Sequence, residues 1–135
     1  MLQKLNVCQL TAIYFSSLFA IGLLLPLHVL ASDALGQSKS AEVSIVKGAS
    51  NPSATEPYNP SPLTVSIGTT VTWTNNDNTG HTVTEGNPSG NTPANGFDSG
   101  IMAPGKTFSH MFGTSGTVQY YCTLHPTMLG EVIVK

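Results

Sequence analysis

From residue 41 onward, apolar and polar positions alternate in short runs separated by turn residues. Ala41–Lys47 sets Val43 and Ile45 on one face, and Leu63–Ile67 is a second run. Thr70–Asn75 puts Val71 and Trp73 opposite Thr70, Thr72 and Thr74. His81–Thr84 pairs His81 with Val83, and Phe97–Gly100 is short and extended. Thr107–Phe112 aligns Phe108, His110 and Phe112; Thr117–Cys122 aligns Val118, Tyr120 and Cys122; Leu129–Lys135 closes the chain. A period of two with β-branched and aromatic residues predicts strands. Asn76–Gly80, Ala103–Lys106 and Gly113–Gly116 predict turns, and the four prolines of Gly48–Pro62 predict an irregular crossing. No segment of this region repeats at helical spacing. The expected architecture is all-β, a Greek-key β-sandwich of seven to eight strands.

The first thirty residues follow a different pattern. Lys4 precedes an apolar run, Leu10–Leu25, broken only by Thr11, Ser16, Ser17 and Gly22; Pro26 and then Val29-Leu30-Ala31 follow. This is the layout of a secretory signal with a cut after Ala31. An uncleaved membrane anchor is the alternative, although the apolar run is short against the ~20 residues of a span. The chain thus divides into 1–31, a signal peptide or anchor; 32–40, a small, polar flexible tether; and 41–135, the folded domain. Both readings place the domain outside the cytoplasm, and only the anchor would bring it to a membrane. Cleavage removes Cys8 and leaves Cys122 as the single thiol.

Composition narrows the function. With 40% hydrophobic and 9% charged residues, the chain is not a solvated disordered polymer. Five Lys and Arg, unclustered, cannot track a phosphate backbone, so nucleic-acid binding is excluded. A lone cysteine in an exported domain is either a free thiol or a metal ligand.

Cys122-Thr-Leu-His125-Pro-Thr-Met128 gathers a thiolate, an imidazole and a thioether in the spacing C-x2-H-x2-M. A strand end followed by a tight turn can aim all three at one point. His81 begins another inward-facing run, some forty residues upstream. Two imidazoles, one thiolate and a weak axial thioether suit one copper ion in a blue-copper centre. Structural zinc would usually take more cysteines, and calcium or magnesium would take oxygen donors. Four protein donors leave no open position for a substrate, so the protein is read as a carrier rather than an enzyme. Cysteine-protease chemistry would leave Met128 unexplained.

Several stretches carry a resemblance: LTVSIGTTVTWTNND before the first histidine, GHTVT around it, FDSGIMAPGKTFSHMF in the middle and GTVQYYCTLHPTMLGEVIV at the end. Together they resemble the plastocyanin/amicyanin branch of the cupredoxins, and the compact ligand loop is more like that of amicyanin. The resemblance implies an eight-stranded sandwich, type 1 copper cycling between Cu(I) and Cu(II), and His81, Cys122, His125 and Met128 as ligands. It further implies one-electron transfer with a redox partner docking briefly near His125. The competing reading of the same ligands is an extracytoplasmic copper carrier that delivers metal to an enzyme. Where the family often has Asn after the first ligand His, this chain has Thr82, so the tie between the two ligand loops is open to question. His110, Met102, Met111, Trp73 and Tyr120 are expected to pack, Met102 and Met111 in the interior or at the rim. Tyr121 is expected to face outward. The docking surface is expected to be apolar and to include His125, Pro126, Pro104 and Met102, on a monomer.

Overall fold

The computed structural model describes residues 38–90 and 92–135. Segment 1–31, and the tether up to residue 37, lie outside the described residues. Eight strands follow in order: β1 Ser40–Ile45, β2 Tyr58–Asn59, β3 Leu63–Val65, β4 Thr69–Asn75, β5 Thr84–Glu85, β6 Thr107–Phe112, β7 Gly116–Tyr121 and β8 Leu129–Val134. They form two four-stranded sheets, ordered β2-β1-β4-β6 and β3-β8-β7-β5. The pairs β1/β4 and β3/β8 are parallel and the rest antiparallel. The expected all-β sandwich is the fold, with eight strands.

Period-two alternation builds the core. Along β4, Thr69, Val71, Trp73 and Asn75 are buried while Thr70, Thr72 and Thr74 are less so. Trp73 lies opposite Val43 of β1 and Phe108 of β6 in register. Its indole touches Phe97, Phe108, Phe112 and, edge-on, Tyr120 of the other sheet. Val65, Val132 and Val134 supply the facing layer. Tyr120 stands opposite Gly130, and a Cβ at residue 130 would clash with the hydroxyl end of the tyrosine ring. Glycine there lets the ring lie across its partner strand.

Three expectations change. His81–Thr84 is not a strand: His81 makes a single bridge to Met102, and β5 starts only at Thr84. The reason is that the next two amides serve side chains, Thr82 N–H donating to Cys122 Sγ and Val83 N–H to Ser99 Oγ. Phe97–Gly100 runs alongside but contributes only the bridge Thr84–Asp98. The proline-rich crossing is not wholly irregular. Tyr58–Asn59 pairs with β1 at the sheet edge, where neighbouring prolines cost no ladder bond. At the start of β1, Lys39 C=O already accepts from Thr70 N–H at 2.9 Å, so pairing begins just before residue 41.

Candidate metal centre

Both ligand loops are shaped by short-range hydrogen bonds. After β7, His125 N–H donates to Cys122 C=O (3.2 Å) and Met128 N–H to His125 C=O (2.9 Å), two successive tight turns. Cys122 N–H to Met128 C=O (3.2 Å) closes the loop at its base. The C-x2-H-x2-M spacing therefore sets each candidate ligand at the end of a turn, where one turn closes and the next begins. Pro126 occupies the second position of the second turn, which its fixed φ suits. Met128 is fully buried at the loop base.

The other loop is held by Asn75, whose side-chain NH2 donates to the carbonyls of Thr79 and Met102, both at 2.8 Å. Its Oδ1 accepts from Asp77 N–H (3.0 Å). This fixes the 76–80 turn and sets His81 against Met102, with reciprocal backbone bonds of 3.2 and 2.8 Å.

His81 Nδ1 lies 3.8 Å from Cys122 Sγ, and His125 Nδ1 lies 3.6 Å from it. The three candidate donor atoms all fall within 4.8 Å of one another. A metal about 2.3 Å from sulfur and about 2.0 Å from nitrogen, with angles near ~110–120°, needs S···N separations of about 3.5–3.7 Å. The observed spacing therefore fits a single bound ion. His81 and Cys122 are fully buried, whereas His125 is half-buried. Imidazole, imidazole and thiolate in this arrangement match the donor preferences of copper in a type 1 site.

Surrounding groups brace these donors. Thr82 N–H donates to Cys122 Sγ at 3.3 Å. Thr82 Oγ1 accepts from Thr123 N–H at 2.8 Å and from the Thr84 hydroxyl at 3.0 Å. A hydroxyl thus makes the inter-loop tie that Thr82 had left open to question. Buried Tyr58 donates its hydroxyl to Thr82 C=O at 2.7 Å. On the far side of His81, Nε2 meets Asp77 Oδ2 at 2.8 Å. Burial by itself would raise the Asp77 carboxyl. Hydrogen bonds from Gly48 N–H, His81, Asn78 N–H and Thr79 outweigh it and hold the group well below the usual carboxylate range.

His110 packs between Phe97 and Phe112 (ring centroids 4.5 and 5.0 Å), as expected of a structural residue. Trp73 and Tyr120 are buried and Tyr121 is half-exposed, also as expected. Met102 departs from the expected docking surface: it is 3% exposed, because its backbone is stitched to His81 and its side chain turns into the core. The exposed apolar neighbours are instead Ile101 (73%) and Leu124 (47%), which converge over Gly80. Met111 is an exposed strand residue, not a packed one. The sequence reading missed Asp77 and Tyr58. A carboxylate four residues before a candidate ligand histidine was a usable signal for the first; nothing in the sequence pattern marked the second.

Residues 45–135 match the family described as copper binding proteins, plastocyanin/azurin family. The chain belongs to this family. Its cofactor is copper. Among relatives, it is 34% identical over 84 residues to the chloroplastic plastocyanin of Tetradesmus obliquus, covering 58% of each chain. It is 34% identical over 71 residues to amicyanin-alpha of Methylorubrum extorquens, covering 53% of this chain and 58% of the relative. The match thus spans little more than half the length of these two relatives. A purple cupredoxin from Nitrosopumilus maritimus superposes with a TM-score of 0.65 at 34% identity, covering 70% of this chain and 99% of that one. The Cu(I) structure of an amicyanin mutant gives a TM-score of 0.57 at 29% identity, covering 71% and 82%. The cupredoxin expected from the sequence is therefore the family of this chain.

Proposed function

We propose that His81, Cys122, His125 and Met128 hold one copper ion and that the protein carries single electrons between redox partners outside the cytoplasm. The observation that carries this reading is the convergence of two imidazole nitrogens and one thiol sulfur, two of the three residues fully buried and the third reaching the surface. Bound copper supplies a one-electron couple, Cu(I)/Cu(II). The protein's part is to keep the donors in place while the charge changes. The two turns of the 122–128 loop, the Thr82 tie and the Asn75 brace resist rearrangement, which keeps the energy of reorganisation low. Met128, buried at the loop base, would add a weakly binding thioether and would help set the potential. Four protein donors leave no position for a substrate, which favours a carrier over an enzyme.

The electron is read as leaving through the half-buried ring of His125. Its chain neighbours Leu124 and Pro126 are exposed, and exposed Ile101 converges with Leu124 over Gly80, so that the three offer an uncharged surface. A partner meeting such a patch is held by modest apolar burial and released quickly, and the encounter depends little on salt. The extracytoplasmic placement is supported by the signal-like segment 1–31.

The test is the absorption and electron paramagnetic resonance spectrum of the Cu(II)-loaded protein, followed by its electron self-exchange rate. Intense visible thiolate-to-copper absorption that vanishes in Cys122→Ser, with fast self-exchange, is expected. A colourless Cu(II) complex overturns the ligand assignment. Slow self-exchange with rapid loss of metal to a chelator would point to a copper-delivery protein.

A further inference from the structure

Behind His81, on the side away from Cys122, sits a buried carboxylate whose two oxygens have different partners. Asp77 Oδ1 accepts the backbone N–H groups of Gly48 (2.9 Å) and Asn78 (2.8 Å). Oδ2 accepts the Thr79 hydroxyl (3.2 Å) and faces His81 Nε2 at 2.8 Å. A residue that served only to shape the 76–80 turn would need the first oxygen alone. The second is presented to the ring of a candidate copper ligand, and both side chains are about 1% exposed or less.

We propose that Asp77 is a positioning residue for the metal centre, fixing the His81 imidazole with Nε2 protonated and Nδ1 bare toward Cys122, and so favouring the Cu(II) state. The proposal rests on the ligand assignment above. An ionised carboxylate can only accept hydrogen bonds, so the short contact requires the proton on Nε2. In the neutral ring the other nitrogen then carries the lone pair, and that nitrogen is the one 3.8 Å from Cys122 Sγ. The ring is held in its metal-binding tautomer before any metal arrives. Rotating it would break the contacts of Nε2 with both Asp77 and Thr79.

The charge acts in the same direction. Asp77–His81 is the one ion-pair contact found among the described residues, where no lysine lies within bridging distance of this carboxylate. A full negative charge one imidazole away from the ion is weakly screened in this buried setting. It stabilises the doubly charged metal more than the singly charged one. The carboxylate also anchors Gly48, in the loop after β1, to the ligand loop. One side chain therefore ties the loop after β1 to the ligand loop at the back of the site.

The test is Asp77→Asn. Asparagine keeps an oxygen for the Gly48 and Asn78 amides but places an uncharged NH2 toward the ring. The ratio of Cu(II) to Cu(I) affinity is expected to fall at least tenfold, which is a rise of about 59 mV or more in potential. In metal-free wild-type protein, nitrogen-detected NMR is expected to show His81 solely as the Nε2–H tautomer, with that purity lost in the variant. An unchanged potential in a folded, copper-loaded variant overturns the proposal, as does an Nδ1–H tautomer in the wild type. If Asp77→Asn fails to fold, the wild-type tautomer still decides. If the wild type binds no copper in the coloured form, the ligand assignment fails, and the metal-free spectra judge Asp77 separately.

Discussion

Thr82 stands where the two ligand loops meet, and Thr82→Val removes its hydroxyl while keeping its shape. Three hydrogen bonds end on that oxygen: Thr123 N–H at 2.8 Å, the Thr84 hydroxyl at 3.0 Å and the Thr123 hydroxyl at 3.2 Å. The Thr84 hydroxyl keeps Asp98 Oδ1 at 3.1 Å, and the exposed Thr123 hydroxyl can turn to water. The Thr123 amide loses its acceptor in the protein, and leaving this part-buried N–H without one costs up to about 1–3 kcal/mol. The metal-free variant is therefore expected to lose about 1–3 kcal/mol in urea unfolding, or ~4–8 °C in melting temperature for each kcal/mol. The copper-loaded form should lose less, because the ion itself joins residue 81 to residue 122. Parallel urea titrations of both forms measure the difference. A metal-free variant within about 0.5 kcal/mol of wild type, or a larger loss in the loaded form, would refute the idea that this hydroxyl holds the loops together.

Gly130→Ala should be among the most disruptive single-methyl additions, costing about 1–3 kcal/mol or more through overpacking against the Tyr120 ring, as read by denaturant unfolding. The buried hydroxyls of Tyr58 and Tyr120 make a high-pH prediction. Burial pushes Tyr120 up to about 12 and Tyr58 higher still, from an ordinary value of 10. Below that ordinary value their contribution is fully present. As pH rises past it, the unfolded chain releases protons that the folded one retains, so stability falls. Stability measured against pH should therefore decline above about 10, less steeply in Tyr58→Phe. Leu124→Lys should slow electron self-exchange about tenfold, equivalent to ~1.4 kcal/mol, by placing like charges in the apolar contact, and should leave the visible spectrum unchanged.

The fold was legible wherever both faces of a strand had different solvents. Along Thr70–Asn75 alternation alone turned Val71 and Trp73 inward and Thr70, Thr72 and Thr74 outward, because one face meets the core and the other water; the burial of Thr69 and Asn75 at the strand ends went unread. Alternation misled at His81–Thr84, where it recorded the burial of His81 and Val83 but neither that of Thr82 and Thr84 nor the hydrogen bonding. Those residues are buried in succession, and their amides are claimed by a sulfur and a serine hydroxyl rather than by a neighbouring strand. Tyr58–Asn59 escaped for the opposite reason. A two-residue edge strand flanked by proline is too short to show a period, and only its partner β1 defines it. Met102 packs as expected but was wrongly counted in the docking surface, because its placement follows from the backbone bridge to His81, a long-range pairing that local pattern does not encode.

The candidate ligands were legible for a chemical reason: a thiolate, imidazole and thioether three residues apart can serve few purposes except soft-metal binding. Of what holds them, only the position of the Thr82 tie was legible, because braces are ordinary residues put to use by geometry. Threonine, tyrosine and aspartate are common in turns and strands, and only distances reveal that the Thr82 hydroxyl makes the tie and that Tyr58 and Asp77 bear on the same site. These braces are unevenly distributed. His81 and Cys122 are backed by the carboxylate, the Thr82 amide and the core, whereas His125 rests on two turns and faces outward. A centre that must exchange electrons without changing shape, and yet be touched by a partner, calls for this asymmetry. Rigidity is concentrated on the side that never meets another molecule, and the one outward-facing donor is stiffened by Pro126 rather than by burial. Substitutions on the buried side should therefore act mainly on potential and stability, and those around residues 124–126 mainly on transfer rate.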